Sequence, residues 1–425
     1  MTLMATTRKV QLQDLALFGN PPAFAEKLHV GRPNLGKRER LLERIGDMLD
    51  RNWLTNNGPY VQDFERRIAE YAGVRHCVAM CNATISLEIA IRALGLTGEV
   101  IVPSFTFIAT AHALQWQEIT PVFCDIDPQT HNLDSTRVEN MITPRTTGII
   151  GVHTWGRPCD VDALSEIARR RGLQLLFDAA HAFGCSYKGK TIGGFGSCEI
   201  LSFHATKFFN TFEGGAVLTN DNDLAEKMRL MRNFGFRGND NVIYIGTNGK
   251  MTEVCAAMGL TSLESVDEFI RRNQRNFTSY SRELADIPGL SLMAYDHAQR
   301  TNYQYIVVEV DHGSAGLTRD DLVAMLESEN VLARRYFFPG CHRMEPYRSF
   351  FPNAGMLLPE TEKLCNRVMV LPNGTAVDDA QIQVICQLLR LAIANSSAVS
   401  QRLARGTELR GGLGVEAARP AAGSI

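Results

Sequence analysis

The chain has 425 residues, long enough for two domains or for one large and one small lobe. Hydrophobic residues make up 45% of it and charged residues 21%, and 44 lysines and arginines oppose 46 acidic residues. This balance is typical of globular proteins and offers no basic excess that would attract nucleic acid or an anionic membrane surface.

The cysteines and the apolar runs indicate the compartment. None of the ten cysteines has C-x-x-C spacing, and most lie in apolar runs, which predicts reduced and buried thiols. The N-terminal residues lack the apolar core of a signal peptide, and no apolar run approaches the ~18 residues of a membrane span. We therefore expect a soluble cytoplasmic protein that binds neither nucleic acid nor a membrane.

Short apolar segments alternate with helical patterns between about residues 60 and 220. In ISLEIAIRAL (85–94), Leu87, Ile91 and Leu94 follow the i, i+4, i+7 rhythm of a helix. The predicted strands are 77–80, 99–102, 121–124, 147–152, 174–177, 198–203 and 215–219. This alternation predicts an α/β domain with a mainly parallel sheet, which binds ligands at the carboxyl ends of its strands.

The remaining segments have other patterns. Residues 221–285 are predicted to be mainly helical, and residues 290–395 mix strands with helices, as in a separate α+β lobe. We therefore predict four parts: an N-terminal segment (1–55) that joins the small lobe or wraps the large domain, a large domain (56–288), a small C-terminal domain (289–398) and a disordered tail (399–425) rich in Gly, Ala and Arg.

Three loops that follow predicted strands carry complementary polar groups. Asp178 follows QLLF, and Lys207 lies in SFHATKFFNTFEGG (202–215) after another strand. Ala83 and Thr84 begin a predicted helix, where free N–H groups favour a phosphate. Taken singly, Asp178 and Thr84 are more typical of helix caps, and Lys207 of a surface lysine whose stem covers apolar residues.

Together these groups match what pyridoxal phosphate requires. The cofactor needs a lysine for a Schiff base, a carboxylate that keeps the ring nitrogen protonated, and a helix N-terminus for the phosphate. Apolar neighbours of Lys207, such as Phe203 and Phe208, would lower the pKa of its amine. His153 and His204 lack the spacing and the additional ligands of a metal site, so we predict no metal.

Several sequence strings resemble the DegT/DnrJ/EryC1/StrS family of sugar aminotransferases. DAAHAFG (178–184) and SFHATKFFNTFEGGAVLTND (202–221) carry most of the resemblance. LTNNGPYVQDFE (54–65), PSFTFIATAHAL (103–114), DIDPQTHNLD (125–134) and NGKMTEVCAAMGL (248–260) follow in the family's order. The resemblance covers about residues 30–390 and implies a fold-type I, aspartate aminotransferase-like homodimer that carries pyridoxal phosphate.

The resemblance also implies roles for single residues. Lys207 matches the Schiff-base lysine, Asp178 matches the acid that pairs with the pyridine nitrogen, and His181 replaces a glutamine that contacts the phenolic oxygen. The other matches are phosphate contacts at Ala83, Thr84 and Ser202, a stacking aromatic ring at Phe107, and Asn248, which reaches the phosphate from the other subunit. The chain departs from many members at Ala83, where they have Gly, and at Lys250, where they have Arg.

The segment RRYFFPGCHRMEPY (334–347) is predicted to bind the pyrophosphate and base of a nucleotide sugar, and a plain surface loop is the alternative. The residues expected to contact the substrate are Arg335, Tyr336, His342, Arg343 and Lys250.

The strings LTNNG, DAAHAFG and FNTFEGG resemble the viosamine-type branch, which aminates C4 of dTDP-4-keto-6-deoxyglucose with glutamate as the donor. The alternatives are a 3-keto-sugar aminotransferase, a sugar dehydratase with the same cofactor and a non-catalytic regulator that binds the cofactor. Lys207 argues against the dehydratase, because the sugar dehydratases of this fold look as though they have histidine in place of the Schiff-base lysine. The regulator would carry a DNA-binding module, and the sequence before residue 60 shows none. A cysteine desulfurase would need Cys341 as its nucleophile.

Overall fold

The computed structural model describes residues 8–411, with side-chain burial for residues 8–405. The strands are β1 (Leu28–His29), β2 (His76–Met80), β3 (Glu99–Pro103), β4 (Thr120–Cys124), β5 (Thr146–Val152), β6 (Gln174–Asp178), β7 (Ser186–Tyr187), β8 (Lys190–Thr191), β9 (Cys198–Ser202), β10 (Gly215–Thr219), β11 (Leu290–Leu292), β12 (Ile306–Val310), β13 (Val331–Leu332) and β14 (Val368–Leu371). The helices are α1 (Arg38–Asp50), α2 (Pro59–Ala72), α3 (Ala83–Ala93), α4 (Ala109–Gln115), α5 (Ser135–Val138), α6 (Val161–Arg171), α7 (Asn222–Met231), α8 (Glu253–Leu263), α9 (Val266–Leu284), α10 (His312–Ala315), α11 (Arg319–Ser328), α12 (Tyr347–Phe350), α13 (Pro359–Arg367), α14 (Asp379–Ala394) and α15 (Ser396–Gly411).

The central sheet has seven strands in the order β2-β10-β9-β6-β5-β3-β4. Strand β10 is antiparallel to both neighbours, and the other neighbouring strands run parallel. Both faces of the sheet are covered, because alternate residues of β2 enter different apolar clusters: Val78 and Met80 enter one, and Cys77 and Ala79 the other. The predicted α/β fold and its mainly parallel sheet are confirmed.

Because these strands run in one direction, the loops after β2, β3, β6 and β9 meet at one edge of the sheet. Strand β2 leads into α3 through the N-cap Asn82, whose side chain accepts a hydrogen bond from the N–H of Ile85 at 2.8 Å. A Cβ at Gly215 would lie 2.5 Å from the backbone nitrogen of Ala83. Glycine therefore allows β10 to pack closely against the start of this helix.

The second, smaller sheet is antiparallel and has the order β11-β12-β14. Part of the N-terminal segment packs here: Leu15 and Phe24 lie in the same apolar cluster as β12, and β1 pairs in parallel with β13. The fully buried carboxylate of Glu329 accepts hydrogen bonds from the N–H groups of Ala16 and Ala23, each at 2.7 Å. These bonds attach the N-terminal segment to the small lobe.

Farther along the N-terminal segment, α1 contacts the large lobe. The guanidinium of Arg44 donates a hydrogen bond to Thr261 of α8 at 2.7 Å and pairs with Glu264. The segment therefore joins the small lobe through one part and packs on the large lobe through another. The exact domain boundaries stay a prediction.

The tail differs from the expectation of disorder from residue 399. Helix α15 continues to Gly411, and the rest of the predicted disordered tail, 412–425, lies outside the described residues. Val399 is fully buried in the small-lobe cluster, Leu403 packs against it, and Arg402 Nε donates to the carbonyl of Leu17 at 2.6 Å. Val399 and Leu403, an i, i+4 apolar pair, therefore attach α15 to the small lobe. The overall Gly, Ala and Arg content of the tail does not indicate this pair.

Within residues 8–411, no single helix combines the length and apolar composition of a membrane span; α14 and the following Ser396–Arg405, bent by 90°, meet that test only as a pair.

Candidate active site

A cavity of about 360 Å³ lies at the carboxyl edge of the central sheet. Its wall is built from the loops that follow β2, β3, β6 and β9, together with residues of the small lobe. Seven of the predicted cofactor residues line it: Ala83, Thr84, Phe107, Asp178, His181, Ser202 and Lys207. The structure thus brings together residues that are more than 120 positions apart in sequence, as the strand-end argument predicted.

Lys207 places its amine in a largely apolar environment. Its Nζ donates a hydrogen bond to the hydroxyl of Tyr305 at 3.2 Å. Burial lowers the pKa of Lys207 from 10.5 to about 8, although the Asp178 carboxylate acts in the opposite direction. A substantial fraction of the amine is therefore neutral near physiological pH, as a nucleophile or a base requires.

Asp178 ends β6, and its carboxylate lies in the cavity wall, 6% exposed. One carboxylate oxygen accepts from the Thr110 hydroxyl at 2.9 Å, and the other accepts from the N–H of Ala180 at 3.1 Å. Burial raises the pKa of Asp178 above its usual value. A carboxylate buried with only neutral donors is unfavourable, so a cationic N–H from the cavity side would stabilise it. This environment fits a protonated pyridine nitrogen.

His181 is held as a neutral donor. Its Nδ1 accepts a hydrogen bond from the backbone N–H of Trp155 at 3.3 Å, so the proton of the neutral ring resides on Nε2. Burial lowers the pKa of His181 well below its usual value. The ring also stacks nearly parallel to Phe337, with 5.8 Å between centroids and an angle of 8°. A fixed Nε2–H fits the phenolic oxygen that the replaced glutamine is expected to contact.

The start of α3 fits a phosphate. The N–H groups of the first helical residues, including Ala83 and Thr84, have no carbonyl acceptor within the helix. Ala83 begins α3, and its φ is not positive. The alanine is therefore compatible with a position where many members of the family have glycine. Ser202, at the end of β9, faces the same cavity.

Asn248, predicted to contact the cofactor, and Lys250, predicted to contact the substrate, lie outside this cavity of the single chain. Asn248 is exposed and forms an isolated β-bridge with Asn233. Lys250 donates a hydrogen bond to the side chain of Asn233 at 3.2 Å, and its amine lies 4.7 Å from the centre of the Phe234 ring.

Only part of the predicted substrate segment reaches the cavity. Tyr336 lines it. Arg335 is 3.3 Å from Asp320, and Arg343 is 2.6 Å from Glu362, and neither arginine belongs to the cavity wall. Their predicted contacts with substrate are not formed by this cavity of one chain.

His342, predicted to contact the substrate, lies inside the protein and does not line the cavity. The side chain is buried, its Nδ1 lies 2.7 Å from the Ser104 hydroxyl, and its Nε2 lies 2.8 Å from the Glu362 carboxylate. Both ring nitrogens are therefore engaged. His342 joins the end of β3 to α13, and the charged residues around it in sequence made an internal link resemble an anion site.

The structure also argues against Cys341 as a nucleophile. Cys341 is fully buried, and burial raises the pKa of its thiol to about 12, which makes it a poor nucleophile. His153 bonds the buried Glu199 at 2.9 Å. Among the residues that the structure describes, no group of three or more His, Cys, Asp or Glu side chains is arranged to hold a metal.

Sequence reasoning missed three contributors to the site. Tyr305 immediately precedes β12 in YQYIVVEV (303–310), a string that the pattern identified only as part of the small lobe. Thr110 lies in PSFTFIATAHAL, a string that carried the resemblance but no assigned role. Phe337 adjoins Tyr336 in the predicted substrate segment, and its contact with His181 depends on how the two lobes pack.

Comparisons with known proteins identify relatives of the chain. The chain is 38% identical over 367 residues to a dTDP-4-amino-4,6-dideoxy-D-glucose transaminase of Shigella dysenteriae, covering 85% of this chain and 98% of the relative. It is 38% identical over 327 residues to a GDP-perosamine synthase of Caulobacter vibrioides, covering 76% and 87%. A crystal structure of DesI with its TDP-sugar product superposes with a TM-score of 0.88 at 51% identity, covering 92% of this chain and 99% of that one.

The family model described as the DegT/DnrJ/EryC1/StrS aminotransferase family matches residues 36–390. Aminotransferases of this family depend on pyridoxal phosphate, the cofactor that the cavity fits. The chain therefore belongs to the DegT/DnrJ/EryC1/StrS aminotransferase family.

Proposed function

We propose that the protein transfers the amino group of L-glutamate to the C4 ketone of dTDP-4-keto-6-deoxyglucose and forms dTDP-4-amino-4,6-dideoxyglucose. The Shigella relative, named for a dTDP-4-amino-4,6-dideoxy-D-glucose substrate, supports the sugar and the position of its amine. DesI, solved with a TDP-sugar, supports the thymidine nucleotide. The similarity to GDP-perosamine synthases makes the guanosine nucleotide the alternative to test.

The observation that carries the proposal is the meeting of three groups in one cavity: the amine of Lys207 with its lowered pKa, the buried carboxylate of Asp178 and the neutral imidazole of His181. When bound, pyridoxal phosphate supplies a ring that accepts the electrons released as a C–H bond next to the transferred nitrogen breaks. The dehydratase alternative lacks support, because position 207 is lysine.

Each residue has a separate task in this scheme. The N–H groups at the start of α3 would bind the phosphate, the carboxylate of Asp178 would keep the ring nitrogen protonated, and the Nε2–H of His181 would donate to the phenolic oxygen. Lys207 would take a proton from the amine-bearing carbon of glutamate in the first half-reaction and would give a proton to the ketone carbon of the sugar in the second. With a pKa of about 8, about one amine in ten is neutral at about pH 7, which supplies the base without a second titrating group.

We infer that the active form is a homodimer in which Asn248 of each chain completes the other chain's site. Asn248 is exposed and lies outside the cavity of its own chain. The same segment exposes large apolar side chains: Phe234 is 46%, Val242 55% and Ile245 74% exposed. An exposed apolar surface of this kind is typical of a subunit interface.

The test supplies dTDP-4-keto-6-deoxyglucose and its 3-keto isomer separately, each with glutamate, and measures 2-oxoglutarate. The proposal predicts turnover of the 4-keto sugar, with Lys207→Ala folded but inactive. Both sugars are needed because the cofactor chemistry acts on either ketone. Turnover of the 3-keto isomer alone would contradict the C4 assignment. Comparable turnover by Lys207→Ala would contradict the role of the lysine.

A further inference from the structure

Tyr305 is the only side chain of the described residues that forms a hydrogen bond with the amine of Lys207. The Oη–Nζ distance is 3.2 Å, and the amine lies 5.9 Å from the centre of the tyrosine ring. The two residues are 98 positions apart and belong to different lobes. This contact therefore depends on the tertiary fold and has no local origin.

The surrounding structure holds the Tyr305 ring in place. The ring is 5% exposed, and its centroid lies 4.6 Å from that of His181 and 5.3 Å from that of Trp155. The hydroxyl of Tyr295 donates to the carbonyl of Tyr305 at 3.0 Å and fixes the backbone behind the ring. The hydroxyl that faces Lys207 is thus carried by a rigid support.

Tyr305 also borders two cavities. It lines the cofactor cavity and a neighbouring one of about 340 Å³ that includes His29, Gly31 and Arg334 in its wall. Burial raises the pKa of the Tyr305 phenol well above its usual value, so the hydroxyl keeps its proton at neutral pH. A neutral hydroxyl can accept a hydrogen bond from the lysine ammonium and donate one to the neutral amine.

We propose that Tyr305 is a positioning residue for Lys207: its hydroxyl holds the lysine amine in place whenever that amine is free to move a proton. The inference rests on the proposed function and extends it to a residue outside the cofactor contacts. The lysine side chain has four rotatable bonds, and without a hydrogen-bond partner its amine would spend less time in the position that proton transfer requires. The hydroxyl limits that freedom and takes no proton away from the reaction.

The hydroxyl should also affect the charge of Lys207. Hydrogen bonds to charged groups are stronger than those between neutral groups, so the hydroxyl favours the ammonium form over the neutral amine. Removing it in Tyr305→Phe should lower the pKa of Lys207 by about half a unit to one unit. It should also lower the single-turnover rate with glutamate about tenfold, since one hydrogen bond of this strength corresponds to that factor.

The test first follows the capture of pyridoxal phosphate by cofactor-free protein at a series of pH values, with Lys207→Arg as the blank. The capture rate depends on the neutral fraction of Lys207 and reports its pKa independently of turnover. Tyr280→Phe is the matched control: it removes another buried hydroxyl, which donates to the carbonyl of Pro372 at 3.0 Å in the small lobe. We expect the control to lower the melting temperature and to leave the capture profile and the glutamate rate unchanged.

A Tyr305→Phe capture profile that matches the wild-type profile would overturn the proposal, whatever the activity. An unchanged single-turnover rate with glutamate would also overturn it, because the hydroxyl would then contact the amine without positioning it. A wild-type protein that captures the cofactor but does not react with glutamate would refute the proposed function instead, and the capture profiles would still decide the role of Tyr305.

Discussion

Lys207 should lower the stability of the cofactor-free protein, and Lys207→Met should relieve that cost. Burial lowers the pKa of Lys207 from 10.5 to about 8. At 1.4 kcal/mol per pKa unit, this difference disfavours the folded state by about 3 kcal/mol wherever the amine is charged in both states. The value is an upper bound, because the side chain keeps some contact with solvent.

Methionine has a similar length and no charge, but it leaves the Tyr305 hydroxyl without its partner, which costs about 1 kcal/mol. At about pH 7 we therefore expect Lys207→Met to be about 2 kcal/mol more stable than the wild type. The native protein releases the lysine proton near pH 8, and the unfolded chain releases it near pH 10.4. The wild type therefore gains stability as the pH rises through this window. The advantage of the variant should fall to about zero near about pH 9.5.

Urea denaturation of the cofactor-free wild type and of cofactor-free Lys207→Met, at about pH 7 and about pH 9.5, measures this change. Subtracting one free energy of unfolding from the other at each pH removes the contribution of groups that titrate alike in both proteins. Lys190→Met, at an exposed lysine, is the matched control and should change stability little at either pH. A Lys207→Met variant that is less stable than the wild type at neutral pH, or an advantage that does not depend on pH, would refute the account of the lowered pKa.

Three further predictions follow from the site. Asp178→Asn should bind the cofactor but lose most activity, because an amide cannot keep the ring nitrogen protonated; a kcat near the wild-type value would show that Asp178 is only a structural acceptor. His181→Gln should keep the visible spectrum of the bound cofactor and most activity, because its amide also offers an N–H, whereas His181→Leu should shift the spectrum; equal spectra for both variants would exclude the hydrogen bond. Mixing the inactive Lys207→Ala protein with an inactive Asn248→Ala protein should restore activity, because one site of each heterodimer has both residues intact; no recovery after verified subunit exchange would contradict the shared site.

Much of the fold and of the cofactor site could be predicted from the sequence, for a local reason. The strands of the central sheet are short and mainly apolar, Asp178 ends β6, and Lys207 lies in the loop that follows β9. Parallel strands bring these ends to one edge, so one topological rule places residues that are distant in sequence. The start of α3 could be predicted from its small and hydroxyl-bearing residues, because it follows β2 at the same edge of the sheet.

The rest depended on contacts between lobes, which no local pattern records. His342 has the sequence surroundings of an anion site, but its partners Ser104 and Glu362 turn it inward. Tyr305 immediately precedes the small-lobe strand β12, and only the packing of the two lobes places its hydroxyl at Lys207. In the tail, Val399 and Leu403 find a surface on the small lobe that composition alone does not reveal.

The most direct test of the central claim uses L-glutamate labelled with ¹⁵N, dTDP-4-keto-6-deoxyglucose and the protein loaded with pyridoxal phosphate. Proton–nitrogen NMR of the sugar product locates the new bond. Our account predicts ¹⁵N attached to C4 of the 6-deoxy sugar, with an equal amount of 2-oxoglutarate formed. A product without ¹⁵N, or with ¹⁵N at any other carbon, would contradict it.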